Sequence, residues 1–317
     1  MQTTPQVVLV TGASSGIGEA TAKHAAARGD RLVLLARGEL ALQRVAAECE
    51  SLGAESVLVC STDVAHDEEV AEAVETAVGR HGRLDVVIGN AGVVAYGSID
   101  ALPSEVFDAV IATNLIGSVN LARHVLPVLR EQDSGSFVLV GSLLGHIAAP
   151  QMAAYVISKW GVRGLFRQLR VDNRDRPGIR FAYIAPGGVD TPIYAQAANY
   201  SDSVGRPPFP VTSPEHVAAR TLAAAEQPWR GGQVGAANDV IRFGFVATPW
   251  LYDRLVSPLF RVVAQDLVPA VVQGPGNVLS TLQEGNGLRG NQGSALLGIA
   301  RNLSVVARDR VTRLASR

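Results

Sequence analysis

The stretch that most limits how this chain can fold lies between residues 6 and 28. A short apolar, β-branched run from Gln6 to Val10 passes directly into Thr11-Gly12-Ala13-Ser14-Ser15-Gly16-Ile17-Gly18, and small residues then carry a helix-like segment to Arg28. Strand, glycine turn and helix in that order make a cradle for a pyrophosphate. Glycines let the backbone approach a ligand, and the helix start offers unpaired N–H groups and the positive end of its dipole. The spacing is G-x-x-x-G-x-G rather than the commoner G-x-G-x-x-G.

Strands and helices alternate from there on. Strand-like runs are expected over Arg31–Arg37, Ser56–Cys60, Leu84–Ile88, Ser136–Val140 and Ile179–Ile184. Between them, helical spacing covers Leu40–Leu52, Glu68–His81, Ser104–Leu129 and Ala154–Arg170. The alternation implies an α/β fold, a doubly wound parallel sheet with helices on both faces and right-handed crossovers. Such sheets bind ligands at the carboxyl ends of their strands, so the strand ends hold the candidate site residues.

At the end of the second strand, where a carboxylate would hold the ribose hydroxyls of NAD, the chain has Ala36 followed by Arg37. An arginine attracts a 2′-phosphate and can grip it bidentately, which favours NADP(H) over NAD(H); the alternative is that Arg37 is a solvated charge opening the next helix. Asp63, followed by Val64, is placed to accept from an adenine amino group or to cap the next helix. Asn90-Ala91-Gly92 closes the fourth strand with small residues that suit close backbone approach to a cofactor. Asn114 stands in mid-helix, a poor place for asparagine unless its amide is held. The sixth strand ends in Pro186-Gly187-Gly188-Val189-Asp190-Thr191-Pro192.

Tyr155-x-x-x-Lys159 puts a phenol and an amine one helical turn apart on one face, with Ser142 thirteen positions before the tyrosine. Opposite charge from the ammonium favours the phenolate and should lower a pKa that is otherwise about 10. The pair is a candidate general acid/base, with Ser142 donating to the same substrate oxygen. The spacing also arises by chance in many helices, so its weight comes from the residues around it.

Taken in order, TGASSGIG, Asn90-Ala91-Gly92, Asn114, Ser142, Tyr155-x-x-x-Lys159 and Pro186-Gly187 closely resemble the short-chain dehydrogenase/reductase superfamily in its compact form, over about residues 6 to 238. The resemblance implies a Rossmann-like fold binding NAD(P)(H) through the glycine loop (Gly12, Ser14, Ser15, Gly16, Ile17, Gly18) and the strand ends. It implies Tyr155 as acid/base, Ser142 as its partner on the substrate oxygen, and Lys159 as the group that binds the nicotinamide ribose and lowers the tyrosine pKa. Asn114 would hold a water in a proton relay, and Thr191 would contact the nicotinamide amide. Gly89 replaces the first asparagine of the usual Asn-Asn-Ala-Gly, and Gly141-Ser142 replaces a common Ser-Ser. The expected activity is interconversion of a ketone and a secondary alcohol on a fairly apolar small molecule, the alternative being a catalytically silent NADP-binding sensor or scaffold. A homo-oligomer, a dimer, is expected by the same resemblance.

Apolar and aromatic candidates for the pocket wall are Val93, Val94, Leu143, Leu144, Met152, Tyr194, Tyr200 and Phe209, with Arg206 the only cation of the lid that follows Pro192. His146 is assigned to the loop rather than the pocket. Compact relatives end near residue 250 in this numbering, so residues 239–317 are expected to form a mainly helical C-terminal extension to a catalytic domain of residues 1–238. Val240–Val263 carries Phe243, Phe245, Trp250, Tyr252 and Phe260 among Arg242, Arg254 and Arg261. Loops follow at Gly274–Asn277 and Glu284–Gly293, then a basic helical pattern from Ser294 to Arg317. Substrate enclosure or a subunit contact is favoured over a membrane-surface helix, because the arginines are not confined to one face.

A net charge of −1 over 317 residues gives no reason to expect a nucleic-acid partner. Two cysteines, Cys49 and Cys60, allow no metal-ligand spacing or disulfide framework, and they fit a reducing, cytoplasmic setting. MQTTPQ has no basic region before its first strand, so no leader is expected. Residues 134–158 carry no charged side chain, but their glycines, His146 and Pro150 fit a strand entering a loop better than a membrane span.

Overall fold

The computed structural model describes residues 4–267, 271–282 and 285–315, with the side chains of 309–315 excepted. Glu284, Arg317 and the first three residues of the N-terminal segment therefore lie outside the described residues.

In chain order the elements are β1 (Val7–Thr11), α1 (Gly16–Ala26), β2 (Arg31–Ala36), α2 (Glu39–Ser51), β3 (Ser56–Ser61), α3 (Asp67–His81), β4 (Val86–Gly89), the short β5 (Ala95–Tyr96), α4 (Ser104–Ile111) and α5 (Gly117–Gln132). Then come β6 (Gly135–Val140), α6 (Ala153–Asp172), β7 (Ile179–Pro186), the short β8 (Ala198–Asn199) and β9 (Val204–Gly205), α7 (Pro214–Glu226), β10 (Gly232–Val234), α8 (Asn238–Ala247), α9 (Pro249–Val263), the short β11 (Gln265–Asp266) and α10 (Ala295–Ala315). Seven parallel strands form one sheet in the order β10-β7-β6-β4-β1-β2-β3. The order reverses beside β1, so the crevice at the switch point opens where β1 and β4 end.

The central strands are near-continuous apolar runs because both sheet faces are covered. Val8, Val10, Leu32 and Leu34 pack under α1, α2 and α7 through Ala22, Val45 and Val217. Val7, Leu9, Val33 and Leu35, one residue out of phase, pack under α3, α5 and α6 through Val74, Val125 and Val162. Ser104–Gln132 is one continuous rod, long and apolar enough to pass for a membrane span, but its buried side carries Leu121, Val125 and Leu129 into the sheet's second core. Its middle, Ala112–Ile116, is a turn of π-helix with Asn114 inside it.

The segment expected as one aromatic-rich stretch is two helices, α8 and α9, broken at Thr248-Pro249, where proline opens the second helix. They are fixed at both ends. Asn238 is buried against Gly187, and its Nδ2 donates to the carbonyls of Ala185 and Val234. Asn302 of α10, fully buried, donates to the carbonyls of Arg261, Val262 and Gln265, satisfying acceptors that the end of α9 leaves open. β11 then pairs antiparallel with β9, tying the extension to the segment after β7.

Candidate active site

The turn after β1 is built so that backbone can come close. Gly12 and Gly16 have φ of +65° and +52°, and a Cβ on Gly12 would stand 2.9 Å from the Ala91 Cα. A Cβ on Gly18 would overlap the carbonyl oxygen of Gly12, so α1 packs onto its own preceding loop only because that residue is glycine. Thr11 locks the loop to the end of β4. Its Oγ1 accepts from the backbone N–H of Asn90 at 2.9 Å and Ala91 at 3.0 Å, while Asn90 Nδ2 donates to the Thr11 carbonyl at 3.0 Å.

The result is a cleft lined by Gly12, Ser14, Ser15, Gly16, Ile17, Arg37, Asp63, Val64, Asn90, Ala91, Gly92 and Thr191, together with Val93, Thr113 and Ile193. Asp63 Oδ1 accepts from the backbone N–H of Ala65, so it shapes the turn before α3 while lining the cleft. Gly18, Pro186 and Val189 stand behind it: Gly18 supports the loop, Pro186 pairs with Val234, and Val189 is core, while Gly187 lines a second, neighbouring cavity instead.

Asn114, Ser142, Tyr155 and Lys159 meet where this cleft ends. Asn114 is fully buried; its Oδ1 accepts from Val93 N–H at 2.8 Å, and its Nδ2 donates to the Val93 carbonyl and to Ser158 Oγ, both at 3.0 Å. Its amide is therefore held entirely by protein, which explains how asparagine sits inside the helix. Lys159, also buried, donates to the Val140 carbonyl at 3.1 Å and lies 5.7 Å from the centre of the Tyr155 ring. Gly92 separates the Asn114 amide from the Lys159 ammonium: a Cβ there would lie 3.2 Å from Asn114 Oδ1 and 3.5 Å from Lys159 Nζ. Ser142 caps the short turn Leu143–Gly145, its Oγ accepting from Leu144 N–H.

Burial, not the neighbouring ammonium, dominates the charge states. It pushes the Tyr155 phenol up to about 12, opposed by a hydrogen bond to Ser142. It pushes the Lys159 amine down to about 8. The lowering of Tyr155 expected from the four-residue spacing is thus outweighed by desolvation of the phenolate.

Beyond Ser142 and Tyr155 a second, apolar cavity of about 640 Å³ opens. Val94, Leu143, Leu144, Met152, Tyr194 and Phe209 line it; of the other wall candidates, Val93 lines the first cleft and Tyr200 packs elsewhere. Ile193 belongs to both, so the two spaces share a wall. His146 sits in the loop, buried, with its ring edge-on to Tyr183 and its pKa lowered to about 4 by burial.

The sequence offered substrate enclosure as one role for the extension but not which of its residues line either space. α8 and α9 form one side of the cavity through Ile241, Gly244, Leu251, Leu255 and Leu259, opposite Tyr96. A second arm crosses the glycine-lined cleft and adds Asn277, Thr281, Leu282 and Asn286 to its lining. There the Gly287 carbonyl accepts from Gly16 N–H at 3.0 Å, and Arg37 donates to the carbonyls of Val278 at 3.2 Å and Asn277 at 2.5 Å, with Asp63 at 3.9 Å. Glycines and asparagines in that arm marked a loop, but nothing in their spacing indicated which cleft it covers.

A family model described as short chain dehydrogenase matches residues 6–201. An uncharacterized oxidoreductase of Listeria innocua is 32% identical over 228 residues, 70% of this chain and 91% of that protein. An uncharacterized oxidoreductase of Bacillus subtilis is 32% identical over 260 residues, 80% of this chain and 72% of that protein. Among solved structures, an alcohol dehydrogenase from the archaeon Thermococcus sibiricus, complexed with 5-hydroxy-NADP, aligns with a TM-score of 0.62 at 29% identity over 73% of this chain and 94% of that one. Levodione reductase aligns with a TM-score of 0.57 at 34% identity over 59% of this chain and 73% of that one. The chain belongs to the short-chain dehydrogenase family, oxidoreductases that bind NAD(P).

Proposed function

We propose that this chain interconverts a ketone and a secondary alcohol on a fairly apolar small molecule with NADP(H), using Tyr155 as general acid/base. The supporting observation is the seam: Ser142 and Tyr155 line the apolar cavity, Lys159 and Asn114 flank Gly92 of the glycine-lined cleft, and Ile193 walls both. The glycine turn suits a dinucleotide because side chains are excluded where phosphates need backbone, at Gly12 and Gly16, and binding displaces the arm whose Gly287 carbonyl now takes Gly16 N–H. The bound nicotinamide supplies or accepts the hydride.

Ser142 Oγ positions the substrate oxygen, and Tyr155 Oη gives it a proton in reduction or takes one in oxidation. A phenol held near 12 stays protonated at neutral pH, which suits donation to an alkoxide formed at the carbonyl carbon. Lys159 holds positive charge beside the ring and keeps it at neutral pH, its pKa being about 8. Desolvation at the seam strengthens each of these interactions.

The NADP preference is supported by Arg37 at the cleft mouth, by Ala36 in place of a carboxylate, and by the NADP analogue bound to the T. sibiricus enzyme. Arg37 already holds two main-chain acceptors, and a 2′-phosphate is a stronger one.

The test is Tyr155→Phe assayed with NADPH across a panel of ketones, beside NADPH titration of the same protein. Turnover should fall by about 10²- to 10⁴-fold with dinucleotide affinity retained. Undiminished turnover rejects Tyr155 as the acid/base. Tight NADPH binding by the unmodified chain with no carbonyl turned over would make it a silent sensor instead.

A further inference from the structure

We propose that the molecule handled at Ser142 and Tyr155 is an uncharged, lipid-sized hydrocarbon carrying its reacting carbonyl or hydroxyl near one end. The inference rests on the carbonyl–alcohol reading above and goes beyond it in size, shape and charge.

Size comes from the cavity. At the roughly 30 Å³ that one heavy atom such as a water oxygen takes up in a liquid, its volume of about 640 Å³ holds about twenty heavy atoms. A small ketone would leave most of that apolar space without contacts, and unfilled space forfeits dispersion energy.

Charge comes from the lining. Among the described residues that line the cavity there is no carboxylate, lysine or histidine. Arg206 is the only ionic residue; its Nη2 donates to the Ala295 carbonyl and its Nη1 lies against Gly298 of α10, while its buried Nε has no partner among the described residues and is the one cationic donor a ligand could meet. Polar groups along the α8–α9 side are satisfied by the protein itself. Asn238 donates to Ala185 and Val234, Thr248 Oγ1 to the Gly244 carbonyl, and Tyr252 Oη to the Ala148 carbonyl at 2.6 Å. Ser142 and Tyr155 are thus the polar end, and the rest of the ligand meets hydrocarbon.

Entry is apolar as well. The outer side of α8–α9 exposes Phe243, Val246 and Trp250, each more than 70% accessible, and Val240, equally exposed, stands at the cavity rim. Asp239 and Arg242, on the same helix, pair with each other, so the exposed apolar residues beside them give a hydrocarbon ligand an edge to cross.

The experiment measures NADPH oxidation with methyl ketones from butanone to pentadecanone. If the chain is buried, kcat/KM climbs about threefold to fourfold per added methylene until the cavity is full. A flat series with clear turnover of butanone overturns the size inference while leaving the oxidoreductase reading intact.

Gly244→Trp supplies the second arm. Gly244 shares a helix face with Ile241 and Thr248, which line the cavity, and a Cβ there meets nothing within 4 Å, so the indole can fill the cavity without breaking α8. The ratio of pentadecanone to butanone kcat/KM should fall at least tenfold in this variant; an unchanged ratio overturns the assignment of this space to the substrate. A ketone of the same length ending in a carboxylate tests the charge: preference for the acid by tenfold or more overturns "uncharged" and brings Arg206 into the site. A fused-ring ketone of similar size, run alongside, distinguishes a flexible chain from a rigid ring. Calorimetric binding of pentadecanol to the unmodified protein reads the same space without turnover. Absence of heat in the presence of NADP, with NADP itself binding, overturns the proposal even if every ketone is inert.

Discussion

The two spaces that meet at Tyr155 are covered by the same C-terminal extension in opposite ways. Over the dinucleotide cleft the cover is a strap of backbone: Gly287 accepts from Gly16 N–H, Asn277 and Val278 accept from Arg37, and Gly290 N–H donates to Asp190 Oδ1. Over the cavity the cover is a helix pair that presents Ile241, Leu251, Leu255 and Leu259 and is tied to the body by Tyr252 to Ala148 and, at its start, Asn238 to Ala185. At Gly16 N–H and the Arg37 guanidinium the strap uses donors that a phosphate would also use, whereas its Gly290 bond ends on the Asp190 carboxylate and anchors it independently. The helix pair offers a ligand few hydrogen bonds to exchange, and its apolar side chains, Ile241, Leu251, Leu255 and Leu259, remain partly exposed, so a hydrocarbon ligand would gain by covering them. A polar cover can therefore yield to a ligand while an apolar one shapes it.

The largest expected effect tests whether the cleft under the strap depends on its glycines more than on the strap. In Gly18→Ala the new methyl overlaps the Gly12 carbonyl oxygen and sits 2.7 Å from Asn90 Nδ2. The loop must move, at a cost of about 1–3 kcal/mol. Dinucleotide affinity should drop about tenfold to a hundredfold, and thermal unfolding should shift down. Calorimetric titration with NADPH checks the first and a thermal melt the second. Wild-type affinity in the variant would mean that the strap, not the glycine turn, defines the site.

Next in size is Lys159, the charge on the boundary. With a folded pKa of about 8 against 10.5 in the open chain, Lys159 is charged in both states below pH 8 and neutral only in the folded state between those values. The unfolded chain binds more protons across that window, so stability rises with pH there, by up to about 3 kcal/mol. Lys159→Met should remove the rise and unfold later than wild type near pH 7, while losing turnover. Denaturant midpoints for both proteins from pH 7 to 10.5 measure it. Parallel curves would show that Lys159 keeps its charge through a partner, as it would if the amine stayed hydrated from the cleft side.

The ease with which each region could be anticipated follows the same division. The sheet, its glycine turn and the serine, tyrosine and lysine of the seam were legible because each leaves a local mark: short continuous apolar runs, glycines packed within seven residues, a four-residue helical spacing. Expected strand and helix ends lie within a few residues of those observed, as in Ser56–Cys60 against β3 and Ala154–Arg170 against α6. The covers left no such mark. Asn277 and Gly287 act through main-chain carbonyls, which any residue supplies, so their partners Arg37 and Gly16 could not be read from side-chain type. The tyrosine pKa also eluded a spacing argument, because a sequence shows that an amine is one turn away but not that both groups are desolvated. The π-turn at Ala112–Ile116 was announced only by its oddity, an asparagine where helices avoid one; the partners that hold it, Val93 and Ser158, lie 21 and 44 positions away.

The smallest effect sharpens the contrast between the covers most directly. Gly290 lies where a Cβ would overlap the Thr191 carbonyl, so Gly290→Val lifts the strap at one anchor while leaving α8 and α9 untouched. The strap bonds to Gly16 N–H and Arg37 compete with the dinucleotide for the same donors, the Gly290 anchor to Asp190 holds them in place, and loss of one or two net bonds corresponds to about 0.5–3 kcal/mol. NADPH association should quicken by about tenfold, read by stopped-flow fluorescence, with the preference among long and short ketones unchanged. If loosening the strap slowed association instead, its carbonyls would be guiding the dinucleotide into the cleft rather than standing in for it, and the two covers would differ in chemistry but not in role.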